Sequence, residues 1–296
     1  MIRIGVDIGG TKMAIAALDA SGAELFRRRS DAPDGAYPDA LRALAEAVRD
    51  AEHEVGTLCT VGIGTPGAVS AGGVLRNAFA SVLNGRPLKP DLERLLGREV
   101  RFANDANCFA LSEAADGAAA GAGVVFGVIL GTGVGGGVVV GGRALEGRNA
   151  IAGEWGHNAL PWIRADELPG PPCGCGKPGH IEGFLSGPGL ARDYQHAAGA
   201  ALEPAQIVAR AESGDAACEA ALARYEERLA RALASVINLI DPDAIVLGGG
   251  LSNAARLYRN VPKLWGPYVY SDAVVTPLLK AKHGDASGVR GAARLW

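Results

Sequence analysis

Two glycine turns and one strand-end carboxylate supply the residue types needed to handle a phosphate and a hydroxyl. Asp7-Ile8-Gly9-Gly10-Thr11-Lys12 sets an acid at the end of a strand-like run, then a turn with no side-chain bulk, a hydroxyl and an ammonium. Such a turn can direct successive backbone N–H groups at phosphate oxygens, while the acid can hold Mg²⁺ directly or through water. Gly131-Thr132-Gly133-Val134-Gly135-Gly136-Gly137 offers a second turn of the same kind. Either alone reads equally well as a hairpin turn; two at equivalent places favour phosphate clamping. Asn104-Asp105-Ala106-Asn107 closes a strand and opens a helix, where Asp and Asn serve as caps. A carboxylate at the C-terminal end of a strand is also where α/β sheets place ligands, and there it can accept a proton from a substrate hydroxyl.

The segment 151–190 carries a different chemistry. His157, Cys173, Cys175 and His180 follow H-x15-C-x-C-x4-H among turn residues. A Cys-x-Cys disulfide is strained, whereas two thiolates and two imidazoles suit a tetrahedral structural Zn²⁺ that staples a core-poor insertion. Free thiols on a loop are the plain alternative. Glu154 and Glu182 lie beside these donors in sequence and read as carboxylates fixed toward a polar substrate, or as solvated acids. Asp243-Ala244-Ile245-Val246-Leu247-Gly248-Gly249-Gly250 is a buried-strand pattern ending in bare backbone, against which an adenine or ribose can lie. Gly62–Gly67 and Gly131–Gly136 match G-x-G-x-x-G, but neither is followed by the helix that a dinucleotide fingerprint requires, and no Walker loop is present.

The elements that must position these groups repeat. Strand-like runs at 2–8, 13–19 and 24–29 form a meander, followed by a helix over 38–54, a strand at 60–65, a helix over 88–96, a strand at 100–103 and a helix over 106–119. The pattern restarts with strands at 124–130 and 138–140, then a long helix over 215–240, a strand at 244–247, a helix over 252–264 and a strand at 274–278. This predicts an α/β fold duplicated with a cleft between halves, 1–120 and 121–296, with 151–190 inserted into the second. The last helix is expected to pack back on the first half. Of 296 residues 43 are glycine, about twice the usual share of roughly 7%, consistent with tight turns and close ligand approach. A formal charge of -3 leaves no electrostatic footprint for nucleic acid or an anionic membrane. No apolar run reaches the ~18 residues of a spanning helix, and no signal-peptide pattern opens the chain, so a cytoplasmic location is expected.

Taken together, DIGGTK at 7–12, GTPG at 64–67, NDAN at 104–107, GTGVGGG at 131–137, GEWGH at 153–157, CGCGKPGHIE at 173–182 and DPDAIVLGGG at 241–250 resemble the ROK family of sugar kinases and sugar-responsive repressors. The resemblance spans nearly the whole chain and implies a duplicated actin-like, hexokinase-like ATPase fold with ATP between two lobes and sugar deep in the cleft. It implies Asp105 as general base for the sugar's primary hydroxyl, with Asn104, Glu154, His157 and Glu182 on the ring hydroxyls and Asn84 and Gly67 nearby. Asp7, Gly9, Gly10, Thr11, Lys12, Gly131, Thr132 and Gly133 would surround the phosphates and Mg²⁺, and Gly249 and Gly250 would border the adenosine. His180 stands where the family usually has a third cysteine. Residues 82–85, 153–162 and 282–296 look most like bacterial fructokinases of the manno(fructo)kinase type; N-acetylglucosamine kinases are the alternative. A homodimer is the family's habit. A repressor would need an N-terminal helix-turn-helix and a basic face. A non-catalytic sugar-binding protein would be expected to lose Asp105 or the phosphate turns.

Overall fold

The computed structural model describes residues 1–78 and 81–296. The first half builds a five-stranded sheet from β1 (Arg3–Ile8), β2 (Lys12–Leu18), β3 (Glu24–Asp31), β4 (Thr60–Thr65) and, after the small hairpin β5 (Ala68–Val69) and β6 (Leu75–Arg76), β7 (Val100–Asn104). The order is β3-β2-β1-β4-β7, with the meander antiparallel and β1, β4 and β7 parallel. The second half repeats it: β8 (Val124–Leu130), β9 (Val134–Val140), β10 (Arg143–Ala144), β11 (Ala244–Gly248) and β12 (Leu278–Lys280) pair in the order β10-β9-β8-β11-β12. The same connections and the same mix of antiparallel and parallel pairs recur, so the duplication expected from the sequence is realised.

Helices follow their apolar spacing. In α1 (Tyr37–Val55), Leu41, Leu44, Ala45 and Val48 are buried and Gly56 closes the end in the left-handed region with φ 71°. α2 (Leu88–Leu96) and α3 (Asp105–Ala115) complete the first half. α3 stops short of the expected residue 119 because the Glu113 carboxylate accepts the N–H of Ala118. In the second half α7 (Ala216–Ile240) starts at an Asp215 side chain that accepts from the N–H groups of Ala217 and Cys218. α8 (Arg256–Leu264) begins four residues later than expected, after a 3₁₀ turn over Gly250–Asn253. The last strand is displaced C-terminally from 274–278 because Pro277 has no N–H for the ladder and only its carbonyl joins it, accepting from Ile245. The apolar pattern of 187–212 goes unassigned in the sequence reading, yet the segment forms α5 (Gly187–Ala198) and α6 (Pro204–Glu212), after the short α4 (Ile181–Leu185).

The C-terminal helix α9 (Ser287–Ala293) leaves the second half and packs on β1, β4 and α3. The backbones nearly touch. A Cβ on Gly5 would lie 2.0 Å from the Val289 carbonyl, and one on Gly62 1.9 Å from that of Ala292. α3 in turn packs on the second sheet, with Phe109 and Ala110 against Gly127 and Gly248. The helix that opens with Asp105 is therefore wedged between the two halves, which fixes that carboxylate at their junction. No helix among the described residues is long and apolar enough to cross a membrane.

Candidate functional site

Asp105 is the first residue of α3, and Asn104 caps the helix by accepting from the Ala106 N–H at 2.8 Å. The Asn104 amide donates to the Gly67 carbonyl at 2.9 Å, tying the GTPG turn to the start of α3. Asp105 also accepts from the Ala106 N–H, at 2.8 Å. Burial pushes its carboxyl up to about 6; that N–H opposes the rise and the Glu154 carboxylate adds to it. Asp7 ends up beside it. Burial, with repulsion from Asp105, lifts the Asp7 carboxyl to about 7 against the pull of Arg29. A half-buried carboxylate raised by burial and by a neighbouring acid is a site that a cation would stabilise. Among the described residues no donor reaches the Asp7 oxygens, so Asp7 fits a Mg²⁺ ligand.

The first turn is tight, with the Gly9 N–H donating to the Lys12 carbonyl at 2.8 Å. Gly10 and Thr11 are exposed at its tip, and a Cβ on Gly10 would meet nothing within 4 Å. Lys12 departs from expectation. It begins β2 opposite Asp31 of β3, and its ammonium pairs with that carboxylate on the surface, with side chains 71% and 84% exposed. The sheet register thus directs its charge to β3 rather than into the turn. The second turn is smaller than its glycine run. Gly131 donates to the Gly133 carbonyl at 3.0 Å, and β9 has begun by Val134. Gly135 to Gly137 are strand residues whose missing side chains admit neighbours: a Cβ on Gly136 would lie 2.6 Å from the Trp155 ring, and one on Gly137 2.5 Å from the Ala106 carbonyl. They hold β9 against α3.

Gly131 and Thr132 also line a cavity of about 1190 Å³, whose other walls are α5, α6 and the turn after β11. Gly250 borders it, and Gly249, at φ 79°, turns the chain there with its Cα against Leu130. The cavity is large enough for a nucleotide and has a phosphate-type turn at one end. Its lining includes Arg192, Gln195, Glu203, Gln206 and Asn253, which the sequence reading missed. Local signals existed: Ser186 before Gly187-Pro188 is an N-cap with proline in the first turn, and Glu203 and Gln206 form a capping box around Pro204.

Trp155 pins the GEWGH segment to β9 by donating to the Gly135 carbonyl at 3.1 Å. Burial, reinforced by Glu182 and offset by His157, holds the half-buried Glu154 above the usual carboxylate range. Glu182 opens α4 and makes two contacts: one oxygen accepts from the Val134 N–H at 3.1 Å, the other from the Cys173 thiol at 3.3 Å. Asn84 uses its side-chain oxygen within its own loop, accepting from the Ala78 N–H at 3.1 Å.

His157, Cys173, Cys175 and His180 converge, each with one donor atom, all within 4.8 Å of one another. Cys173 Sγ lies 3.4 Å from His157 Nδ1, and Cys175 Sγ 3.3 Å from His180 Nδ1. Tetrahedral Zn²⁺ with usual bond lengths requires S···N edges of about 3.5 Å, so the spacing of these four donors, His180 among them, would fit such an ion. Burial raises the Cys173 thiol to about 11, but a bound cation deprotonates a coordinating thiol outright. A buried ion network supports the insertion from below: Glu167 takes Arg228 at 2.8 Å and Arg231 at 2.6 Å.

A profile of the ROK family matches residues 3–296. The N-acetyl-D-glucosamine kinase of Pectobacterium atrosepticum is 41% identical over 296 residues, covering 98% of this chain and 97% of that protein. That of Salmonella paratyphi C is 40% identical, with 98% of each covered. Among solved structures, a ROK hexokinase from Thermus thermophilus has a TM-score of 0.89 at 34% identity, over 100% of this chain and 97% of that one. A ROK family glucokinase from Streptomyces griseus, in complex with glucose and AMPPNP, has a TM-score of 0.80 at 30% identity, over 100% and 99%.

Proposed function

The chain belongs to the ROK family, and from that premise we propose that it is an ATP-dependent sugar kinase acting on the 6-hydroxyl of a hexose, with N-acetyl-D-glucosamine preferred. The observation that carries the reading is the Asp105 carboxyl, held up to about 6 at the junction of the two halves beside a second acid that meets no donor among the described residues. A base of that strength is ionised at neutral pH yet takes a proton readily. In this reading the hydroxyl oxygen attacks the γ-phosphorus, its proton passes to Asp105, and the bond to the leaving ADP breaks. Backbone N–H groups of the two glycine turns hold the phosphates, Asp7 holds Mg²⁺, and Gly249 and Gly250 border the adenosine. Bound Mg²⁺ would supply charge neutralisation at the transferred group. Asn104, Glu154, His157 and Glu182 orient the sugar ring, with Gly67 and Asn84 at its edge. The four Cys and His donors are carried as a structural zinc site, and a homodimer as the assembly.

The choice of sugar corrects the expectation of fructose. Relatives at 40–41% identity over nearly full length are N-acetyl-D-glucosamine kinases. Residues 282–296, which suggested a fructokinase, serve packing: the N–H groups of Lys282 and His283 donate to Glu113, Arg290 and Arg294 pair with Asp116, and the Trp296 indole donates to the Val61 carbonyl. Such a motif reports how the last helix is anchored, and carries little information about sugar hydroxyls. The test is ADP release with MgATP over N-acetylglucosamine, fructose, mannose and glucose, for the natural chain and Asp105→Asn. Turnover highest on N-acetylglucosamine is expected, with a loss of about 10²–10⁴ in the variant while sugar binding persists. Turnover led by fructose would overturn the substrate, and an active Asp105→Asn would overturn the base.

A further inference from the structure

A second cavity, of about 330 Å³, lies at the seam between the halves and shares no residue with the large one or with the groups assigned to the sugar. The first half gives it Ser70 of the β5–β6 turn, Lys89 of α2 and Arg101 of β7; the second gives Glu146 and Arg148 from the loop before GEWGH. Three cations from three separate elements thus line it with one acid. Their own neighbouring acids lie beyond hydrogen-bond length, Glu93 at 3.9 Å from Lys89 and Glu99 at 3.7 Å from Arg101. Arg148 is exposed and pairs with no acid among the described residues. Two of the donors are held ready. The Arg101 guanidinium lies 3.9 Å over the Trp296 ring and donates to the Leu295 carbonyl at 2.6 Å, which fixes its plane and leaves its other N–H groups to donate. Ser70 accepts the Val74 N–H at 3.2 Å, so its hydroxyl proton remains to be given. The loop that displays Arg148 is closed by the Ala152 N–H on the Glu146 carbonyl at 3.1 Å, with Ala150 at φ 54°. That left-handed conformation costs an alanine free energy, and strain of this kind collects at ligand clamps.

We propose that this cavity is a second ligand site, which takes a sugar phosphate. Lys89, Arg101, Arg148 and the Ser70 hydroxyl hold the phosphate, and the Glu146 carboxylate accepts from hydroxyls of the sugar. A set of charged donors in excess over acids recognises a dianion through charge-assisted hydrogen bonds. The one carboxylate needs a ligand that also brings hydroxyl donors, which a bare phosphate dianion does not. The volume is at the small end of the roughly 300–1,000 Å³ range of ligand sites, and suits a monosaccharide better than a nucleotide. The donor set stands on the geometry alone; the choice of a hexose 6-phosphate, the product of the proposed reaction, rests on the kinase reading above. Because its walls come from both halves, a ligand here favours one relative placement of them. The product therefore slows turnover without competing with the sugar.

The test is calorimetric titration of N-acetylglucosamine 6-phosphate, and separately of inorganic phosphate, into the protein saturated with N-acetylglucosamine, together with steady-state inhibition by the phosphosugar. The natural chain is expected to bind one phosphosugar with the sugar in place, at least about tenfold more tightly than phosphate, and to be inhibited noncompetitively against N-acetylglucosamine. Arg148→Glu should weaken that binding by at least about tenfold, the low end for a lost charge-assisted hydrogen bond, while kcat and KM without the phosphosugar stay unchanged. Lys89→Ala should act in the same direction and answers the question if the charge reversal does not fold. A phosphosugar that binds only by displacing N-acetylglucosamine, or that binds both variants as well as the natural chain, would overturn the site and leave the kinase reading standing. Phosphate bound as tightly as the phosphosugar would overturn the choice of ligand and keep the anion site. No binding of N-acetylglucosamine itself would overturn the kinase reading, and phosphate titrated into the natural chain and Arg148→Glu would still decide the cavity.

Discussion

Replacing Asp7 by Asn tests whether this half-buried acid is a cation ligand that the bare fold tolerates at a cost. Its carboxyl is lifted from 3.8 to about 7, chiefly by burial and then by Asp105. At about 1.36 kcal/mol per pH unit, ionising it in the metal-free fold costs roughly 4 kcal/mol relative to the unfolded chain. The sign follows from proton binding. Between pH 3.8 and about 7 the folded protein holds a proton that the unfolded chain has lost, so stability falls with rising pH through that window and is level above it. Asn removes the charge but buries an amide whose missing partners cost about 1–3 kcal/mol, which leaves a net gain of about 1–3 kcal/mol. Thermal unfolding at pH 8 without divalent cations should therefore show Asp7→Asn melting higher than the natural chain, by at least about 2 °C. The difference should shrink toward pH 5. Added Mg²⁺ with AMPPNP should raise the natural chain's Tm more than the variant's. An Asp7→Asn variant that melts lower at pH 8 without Mg²⁺, or gains as much from MgAMPPNP, would refute the reasoning.

Two further perturbations bear on the insertion. Cys175→Ala or His180→Ala should reduce bound zinc from about one per chain to near none by elemental analysis, since three ligands do not complete a tetrahedral structural site; unchanged zinc would place the metal elsewhere. Glu167→Ala leaves Arg231, which is 0% exposed, without its closest carboxylate, and should cost about 3 kcal/mol in chemical denaturation, the low end for an orphaned buried charge. Glu227 still reaches Arg231 at 3.0 Å, which is why the low end is expected. Paired with both arginines, the Glu167 carboxyl is drawn down to about 2, so this contribution is present above pH 4.5 and is lost as pH falls toward that value.

Much of this protein is written locally. Apolar spacing sets α1, α7 and the strands of both sheets, and because each half repeats the same alternation, the duplication is legible in the sequence. The donor spacing of His157, Cys173, Cys175 and His180 foretold their convergence, since a chain that brings Cys-x-Cys to a histidine five residues on needs only turns to do so. Tertiary structure alone decided the rest. Register between β2 and β3 put Lys12 opposite Asp31 and took its charge off the phosphate turn. Close approach of Trp155 and α3 turned Gly136 and Gly137 from loop candidates into packing residues. Anchoring on Glu113 and Asp116 made the C-terminal motif a clasp between halves. The cavity wall of α5 and α6, and the two-sided grip of Glu182, depend on contacts between segments far apart in the chain. Periodicity and motif spacing describe a residue's neighbours along the chain; its charge, burial and hydrogen-bond partners are fixed by what folds against it.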